Sequence, residues 1–305
     1  MTSILFLFGA GASKGSEKKG INVPACGAGL FEELKRFAPS TWGKLDPPYG
    51  TQFRDDFEKG MKQVIENHSR DVLGLQQDMA KYFFNFFPSS KSLYIQLIKR
   101  IGFKGITFAS LNYDWLLEQA FHVLEIPMKE IDLCLPHGCS NRFVKGIKGP
   151  QGSFSFGCAN HLIDGPIVSV CSQEDFNERV KPLHPVMACV DPQKKSPIGK
   201  AFLADEKNKF EKSAFFAKVI VIIGVQVREH DNHIWTPLEK TDAKIVYCSG
   251  SGNESFKSWA EKSRAGKNDE CLPGYFLDNF GNICKIAEDA LANYRGYSQN
   301  NCIMI

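Results

Sequence analysis

Short apolar runs alternate with stretches of helical periodicity along the chain. Five apolar runs predict strands that are buried on both faces, at residues 4–8, 105–111, 131–135, 218–224 and 243–248. Apolar positions that recur every three or four residues predict helices at 28–37, two or three within 52–101, and further helices at 115–124, 198–216, 231–238, 254–264 and 283–295. This alternation predicts an α/β fold with an open parallel sheet covered by helices on both faces.

Two segments interrupt the alternation of strands and helices. A helical insertion at about 45–101 follows the first strand and helix, and we expect its aromatic stripe to be core. An irregular insertion at about 140–200 is rich in Gly, Pro, Ser and Cys, with short strands expected at 153–156 and 166–170. At 305 residues, the chain is expected to form a single domain over 1–305 that carries both insertions.

Composition and charge narrow the functional classes. A hydrophobic content of 43%, with 23% charged residues, is typical of a soluble globular enzyme. The net charge of +3 and the lack of a long basic tract do not indicate direct nucleic-acid binding. No apolar stretch reaches the length of about 18 residues that a membrane span needs, and no signal peptide is evident. We therefore expect a cytoplasmic protein without membrane association.

The ten cysteines do not predict a metal site. None forms a Cys-x-x-Cys pair, so neither a zinc ribbon nor a thioredoxin-type site is indicated, and free thiols are expected. Five of them are spread over the middle of the chain without the spacing of metal ligands: Cys134, Cys139, Cys158, Cys171 and Cys189. The last four residues, from Cys302, formally fit a prenylation box but lack a polybasic neighbour, so we expect no lipidation.

A small-residue turn follows the first predicted strand, with the sequence Gly9-Ala10-Gly11-Ala12-Ser13. Such a turn brings backbone N–H groups close to a ligand, and it could hold a diphosphate to which the Ser13 hydroxyl adds a hydrogen bond. The dinucleotide fingerprint is incomplete because Lys14 occupies the place of its third glycine. An ordinary tight turn after a first strand is the alternative.

Polar residues also follow the later strands. The segments in question are Asn112-Tyr113-Asp114, His137-Gly138, and Gly224 with Asp231 downstream. Because open α/β sheets bind ligands at the carboxyl ends of their strands, we expect these residues to converge in one cleft. The alternatives are that Asn112 and Asp114 cap the next helix and that His137 is a structural turn residue. For Asp231, a helix cap is the preferred interpretation over a catalytic role.

These motifs, in this order, resemble the sirtuin superfamily over roughly residues 3 to 250. The resemblance rests on Phe8-Gly-Ala-Gly-Ala-Ser13, Asn112-Tyr-Asp114, His137-Gly138 and Ile222-Ile-Gly224 with Asp231 downstream. It is closer to the divergent bacterial sirtuin-like domains that destroy NAD in antiphage defence. The resemblance implies a Rossmann-like fold and NAD as a substrate.

The resemblance also implies roles for individual residues. The Gly9–Ser13 turn would hold the diphosphate, and Asn112 would bind near the nicotinamide ribose and place a water. Asp114 would lie at the nicotinamide end, and His137 would be the general base, for which its ordinary pKa is suited. Further NAD contacts would come from Pro24, Tyr113, Gly224, Val225, Gln226, Asp231, Cys248 and Ser249.

Two departures from the protein-deacylating sirtuins affect the expected activity. Pro24 is kept within Gly20-Ile-Asn-Val-Pro24-Ala-Cys26, but the Asp-Phe-Arg continuation of those enzymes is lost. The two Cys-x-x-Cys pairs that usually hold their structural zinc are also absent. Both departures argue against removal of acyl groups from lysine and fit hydrolysis of NAD with water as the acceptor.

The expected activity is therefore hydrolysis of NAD to nicotinamide and ADP-ribose. The resemblance implies an NAD-depleting effector of abortive antiphage defence, controlled by homo-oligomerisation or by a regulatory partner such as a ring-shaped DNA-translocating ATPase or an Argonaute-like protein. The 24 phenylalanines are consistent with a surface for self-association. The alternatives are a protein deacylase or ADP-ribosyltransferase, and a module that senses NAD or ADP-ribose without turnover.

Overall fold

A computed structural model describes residues 3–18, 23–47, 49–68, 72–145, 163–179, 183–189, 196, 198–228 and 231–301. Within these ranges the strands are β1 (Ile4–Phe8), β2 (Ile106–Ser110), β3 (Asp132–Cys134), β4 (Gly138–Val144), β5 (Ile167–Ser169), β6 (His184–Met187), β7 (Val219–Ile223), β8 (Lys244–Cys248) and β9 (Glu270–Cys271). Six of them form an all-parallel sheet in the order β3-β2-β1-β7-β8-β9. The predicted open parallel sheet is thereby confirmed.

The central strand β1 is buried on both faces. Its residues pair in register with β2 on one side and β7 on the other, with Phe6 opposite Phe108 and Val221. Phe6 and Phe8 belong to the larger apolar cluster, whereas Leu5 and Leu7 belong to a second cluster on the opposite face. Side chains of a strand alternate between faces, so an unbroken apolar run fits a sheet covered on both sides.

Helices cover the sheet and build the insertion. They are α1 (Ala10–Gly15), α2 (Ala28–Phe37), α3 (Gly50–Asp55), α4 (Phe57–His68), α5 (Val72–Phe84), α6 (Leu93–Ile101), α7 (Leu116–Val123), α8 (Gln173–Arg179), α9 (Lys200–Phe216), α10 (Asn232–Lys240), α11 (Asn253–Ser263) and α12 (Phe276–Asn301). The prediction of two or three helices within 52–101 was too low, because the structure has four there. Their aromatic residues are core, as expected: the rings of Phe31 and Phe53 stack at 4.5 Å, with Trp42 beside them.

A second, antiparallel sheet occupies part of the segment predicted to be irregular. It has the order β5-β4-β6, and only β5 was anticipated. The strand expected at 153–156 lies outside the described residues, as do Cys158 and the terminal segment from Cys302. Helix α12 begins earlier than predicted, at Phe276. In the portion of the chain that the structure describes, no helix is both long and apolar enough to span a bilayer.

Candidate functional site at the carboxyl edge of the sheet

The turns after β1 and β7 are packed backbone against backbone. The amide of Gly9 donates to the Ile223 carbonyl at 2.9 Å, and that of Gly11 donates to Gly224 at 3.0 Å. Gly224 has a φ of +66°, and a Cβ there would lie 2.0 Å from the Ala12 nitrogen. A Cβ on Gly9 would lie 2.5 Å from the Gly224 oxygen. These glycines are therefore required by the contact between the two turns, not by an approaching ligand alone.

This packing limits which groups of the first turn are available to a ligand. The amides of Gly9, Gly11 and Ala12 already donate to backbone carbonyls of the protein. Ala10 and Gly11 are nevertheless exposed, so the turn presents a small and accessible surface. The strand-to-turn geometry expected for a diphosphate is present, although part of its amide set is already engaged.

The Ser13 hydroxyl joins three elements in a buried cluster. It donates to Asp114 Oδ1 at 3.2 Å and accepts from Asn112 Nδ2 at 2.9 Å. The Tyr94 hydroxyl on α6 lies 3.0 Å from the same oxygen. A hydroxyl has one hydrogen and two lone pairs, so Tyr94 must be the donor in this arrangement. The Ser13 proton is thus directed to Asp114, which leaves none for a phosphate.

The Asn112 side chain presents an unsatisfied acceptor. Its backbone amide donates to the Ser110 hydroxyl at 3.2 Å, and its amide nitrogen is held by Ser13. Its carbonyl oxygen Oδ1 is buried and has no hydrogen-bond partner among the described residues. Buried acceptors without a partner cost free energy, so this oxygen is suited to a ligand hydroxyl or a water.

Asp114 combines a local contact with the Ser13 cluster. Its Oδ1 accepts the Leu116 amide at 3.2 Å at the start of α7, so the alternative of a helix-capping role is correct in part. The same oxygen accepts the Ser13 hydroxyl. Burial raises the pKa of Asp114 from its ordinary 3.8 to about 6, against the opposing effect of these hydrogen bonds. The Asp114 carboxyl group is therefore largely ionised at neutral pH and above, and largely protonated below about pH 5.

His137 lies in the turn between β3 and β4, and it is buried. The turn is fixed by the Gly138 amide, which donates to Leu135, and by the Ala188 amide, which donates to the His137 carbonyl, both at 2.9 Å. Strand β4 is joined to the segment after β2 because the Ser140 amide donates to the Tyr113 carbonyl at 2.8 Å. The rings of His137 and Tyr113 lie 6.5 Å apart. The structure thus brings the His137 turn against Asn112-Tyr113-Asp114.

A second histidine faces His137. The Nε2 atoms of His137 and His233 lie 2.9 Å apart. A carboxylate oxygen of Asp231 and one nitrogen from each histidine all lie within 4.8 Å of one another. Asp231 occupies the N-cap position of α10, as predicted, but its side chain makes no capping hydrogen bond. The preferred interpretation of Asp231 as a helix cap is therefore confirmed in position, although no side-chain hydrogen bond accompanies it and its carboxylate lies within 4.8 Å of the histidine pair.

The remaining predicted binding residues lie near the same edge of the sheet, but within the described part of the chain their side chains do not hydrogen-bond to the cluster around Ser13. Val225 is buried and its carbonyl accepts the Tyr247 hydroxyl, and the Cys248 carbonyl accepts the Gly224 amide at 2.9 Å. Gln226 is exposed and Ser249 is half-buried. Pro24 is buried next to Ala25, whose amide donates to Tyr82 on α5. Among the described residues, no hydrogen bond joins Pro24 to Ser13, Asn112 or Asp114.

Sequence reasoning did not identify Tyr94 and His233 as parts of the site. Tyr94 lies in the predicted helical region, where its apolar periodicity indicates core and nothing marks its hydroxyl. His233 had a usable signal, because it follows Asp231 by two residues in the first turn of a predicted helix that begins near a strand end. Long-range packing decides that both meet the other residues.

Comparison with known proteins supports the fold. No protein-family model matches the sequence, and a search of curated protein sequences finds no match. Among solved structures, the chain is similar to an ADP-ribose complex of a Sir2 homologue with a phenylalanine-to-alanine substitution, at a TM-score of 0.51. It is also similar to an ADP-ribose complex of a Sir2 homologue with a histidine-to-asparagine substitution, at 0.50. In both cases the identity is 15%, and the match covers 95% of this chain and 93% of the other. The chain therefore has the fold of the Sir2 homologues.

Proposed function

We propose that the protein is an NAD⁺ hydrolase that cleaves the bond between nicotinamide and ribose and releases nicotinamide and ADP-ribose. The observation that carries the proposal is the buried Asn112 carboxamide, whose oxygen lacks a partner among the described residues. It stands at the carboxyl edge of a Sir2-like sheet, beside the His137 turn. Structures with this fold have been solved in complex with ADP-ribose, one of the two products.

The chemistry needs positioning and charge, and no strong nucleophile. Nicotinamide leaves as a neutral molecule, while positive charge develops on the ribose. Asn112 Oδ1 would accept a hydrogen bond from a ribose hydroxyl or from the attacking water. Asp114, ionised at neutral pH, would stabilise the developing positive charge, and His137 would accept a proton from the water or a ribose hydroxyl.

The rest of the dinucleotide would extend along the edge of the sheet. The exposed Ala10 and Gly11 would face the diphosphate, together with the packed backbone of Gly9, Ala12 and Ser13. Gly224, Val225 and Gln226 would line the ribose, and Cys248 and Ser249 the adenine. Tyr113 would help to bind NAD from its position beside the His137 ring, and Asp231 would do so from its place next to His137 and His233. Pro24 remains the weakest of these assignments because its neighbour Ala25 contacts α5.

Nicotinamide release from NAD⁺ by the purified chain tests the proposal. We expect Asn112→Ala and His137→Ala to reduce the rate by at least a hundredfold, within the range that a positioned acid–base group contributes, roughly 10²–10⁴-fold. Asn67→Ala and His122→Ala are matched controls, since both residues are exposed, and they should retain the wild-type rate. Wild-type turnover in both site variants, confirmed as folded by circular dichroism, would contradict the site assignment.

Two further measurements distinguish hydrolysis from the alternative functions. A protein deacylase or ADP-ribosyltransferase would modify an acetylated peptide in the presence of labelled NAD⁺, whereas a hydrolase leaves the peptide unchanged. A sensing module would bind ADP-ribose tightly and release no nicotinamide. Either result would replace hydrolysis as the function of the site.

The biological setting that we propose rests on the motif resemblance. The protein would act in the cytoplasm as an NAD-depleting effector of antiphage defence, restrained as a homo-oligomer or by a partner such as a ring-shaped DNA-translocating ATPase or an Argonaute-like protein. The chain would act as a single catalytic domain, for which no metal cofactor is needed. Light scattering of the purified protein measures its oligomeric state, and cellular NAD after phage infection measures the effector role.

A further inference from the structure

The side chains of His137, Asp231 and His233 form a compact group of potential metal ligands. The two Nε2 atoms point at each other at 2.9 Å, and the Asp231 carboxylate lies within 4.8 Å of both histidines. His137 and Asp231 are buried and His233 is half-buried. The residues come from two separate elements, the β3–β4 turn and the start of α10, so the group is created by the tertiary structure.

The geometry of this group is close to that of a zinc site. Zinc–nitrogen bonds of about 2.0–2.1 Å at a tetrahedral angle place two ligand nitrogens roughly 3.3 Å apart. The observed Nε2–Nε2 distance is 2.9 Å. To admit the ion, the two nitrogens would move apart by about 0.4 Å, both rings would turn so that their Nε2 lone pairs converge on it, and the Asp231 carboxylate would approach from within 4.8 Å. Two imidazoles and one carboxylate are a known donor set for Zn²⁺ that leaves a fourth position open.

The backbone holds the ligands in place before any ion binds. The His137 turn is fixed from both sides by the Gly138 and Ala188 amides. On α10, the Ile234 and Trp235 amides both donate to the Asp231 carbonyl, at 2.9 and 3.0 Å. The Asp231 carboxylate adds a negative charge that partly offsets that of a divalent ion in a buried place. The backbone that carries the ligands is therefore fixed before a metal binds, and the reorganisation falls on the three side chains.

We propose that His137, Asp231 and His233 bind a divalent transition-metal ion of the Zn²⁺ type, and that the bound ion inhibits NAD⁺ hydrolysis. The inhibitory part rests on the proposed function, in which His137 accepts a proton, and it takes the lone pair of Nε2, the nitrogen that faces His233, as the acceptor. A metal bound to that lone pair removes it from general-base catalysis, so metal binding and turnover exclude each other. The site itself does not depend on the activity.

Binding of Co²⁺ to the purified full chain tests the site without any measurement of turnover. We expect one Co²⁺ per chain with the visible absorption of a tetrahedral ion and without a thiolate charge-transfer band, because no cysteine is in the group. The spectrum should bleach when Zn²⁺ displaces the cobalt. His233→Ala should weaken binding at least tenfold, and His122→Ala, an exposed histidine outside the group, should bind as wild type does.

A second variant guards against a folding defect. Asp231→Asn keeps the shape of the side chain and removes its charge, and it should also weaken Co²⁺ binding at least tenfold while the melting curve shows a folded protein. Equal affinity of wild type, His233→Ala and Asp231→Asn would overturn the site. A thiolate charge-transfer band that persists in the Co²⁺ spectrum of His233→Ala would show that cysteines bind the metal. That result would likewise overturn the proposed site.

Nicotinamide release with increasing Zn²⁺ tests the inhibition. We expect the wild-type rate to fall and to recover after a chelator is added. The Zn²⁺ concentration for half-inhibition should rise at least tenfold in His233→Ala, relative to that variant's own metal-free rate. An unchanged rate at saturating metal would overturn the inhibition. If metal-free wild type shows no turnover, the proposed function fails, and the cobalt measurement still decides the site.

Discussion

Individual residues at the site are placed by contacts to more than one element. Ser13 accepts from Asn112 and donates to Asp114, and it also contacts Tyr94, so a single hydroxyl ties the β1 turn to α6 and to the segment after β2. The consequence is that Asn112 is oriented through its nitrogen and its oxygen is left to a ligand. Gly9 and Gly224 cannot be replaced by larger residues without moving apart the turns after β1 and β7, because an added Cβ would overlap the backbone of the other turn.

Gly224→Ala should be strongly destabilising. The residue has a φ of +66°, and its Cβ would lie 2.0 Å from the Ala12 nitrogen. Gly102→Ala is a matched control, since Gly102 has a φ of +75° and nothing within 4 Å of a Cβ. The control should lose about 1–3 kcal/mol, the cost of placing a Cβ in its backbone region of φ +75° and ψ −157°, which is essentially restricted to glycine. Gly224→Ala should lower the free energy of unfolding clearly more than the control does, as measured by chemical denaturation. Equal losses of stability in the two variants would show that the turns after β1 and β7 separate without cost.

Asp114 should make the stability depend on pH. Burial raises its pKa from 3.8 to about 6, so the folded protein binds a proton that the unfolded chain does not between these values. The extra proton stabilises the folded protein; this contribution to the free energy of unfolding is fully present below about pH 4 and is lost as the pH rises through about 6. The difference corresponds to about 3 kcal/mol. Asp114→Asn, which carries no charge, should therefore be more stable than wild type at pH 7 and similar to it at pH 4.

Denaturant unfolding of both proteins at several pH values between 4 and 7 measures this effect. Asp205→Asn is the matched control, because it makes the same replacement at an exposed aspartate of α9. A difference between Asp114→Asn and wild type that does not vary with pH would show that the carboxylate is not buried as described.

At the scale of elements, the buried Arg264 side chain connects several helices and strands. Arg264, at the end of α11, is buried and paired with Asp269 through Nε and Oδ2 at 2.5 Å. Its guanidinium also donates to the carbonyls of Leu238, Thr241 and Ala243, at 2.6–2.9 Å. One side chain therefore joins the end of α10, the approach to β8 and the loop before β9.

Arg264→Met should destabilise the protein by about 3–5 kcal/mol, because it leaves Asp269 buried without its partner. Lys257→Met is the control, since Lys257 pairs with Glu254 on the surface of α11 and such pairs contribute at most about 1 kcal/mol. Thermal or chemical unfolding measures both. A loss below 1 kcal/mol in Arg264→Met would contradict the bridging role of this side chain.

At the scale of the whole molecule, the parallel sheet brings distant parts of the chain to one edge. The segments that follow β1, β2, β3 and β7 carry Ser13, Asn112, His137 and Gly224, of which the first and last are 211 positions apart in the sequence. All strands of the sheet run the same way, so their carboxyl ends meet. The site exists only when the whole sheet is formed.

ADP-ribose should therefore stabilise the whole fold. A ligand that binds only the folded protein stabilises it by about 2.7 kcal/mol at a concentration of 100 times its Kd. We expect a rise in Tm of the wild type with ADP-ribose, most of which is lost in Asn112→Ala. Asn67→Ala, an exposed asparagine on α4, should keep the wild-type shift. An equal shift in the two variants would place the ligand away from Asn112.

The sequence by itself determined five of the six strands of the parallel sheet, most helices and the polar residues at the strand ends. Buried strands are readable because burial on both faces demands unbroken apolar runs, as in β1 and β7. Helix α2 was predicted at its observed bounds, since its periodicity is local. Strands β4, β6 and β9 were not predicted, because short or partly polar strands depend on partners far along the chain.

Tertiary structure alone decided which polar groups meet. The Ser13 hydroxyl donates to Asp114, and Tyr94 joins the cluster from the apolar face of α6. His233 faces His137, with their Nε2 atoms 2.9 Å apart. Asp231 occupies the cap position that its sequence indicates, and its carboxylate lies within 4.8 Å of the two histidines. Local propensity selects backbone conformation, whereas hydrogen-bond partners depend on distances that only the packed chain defines.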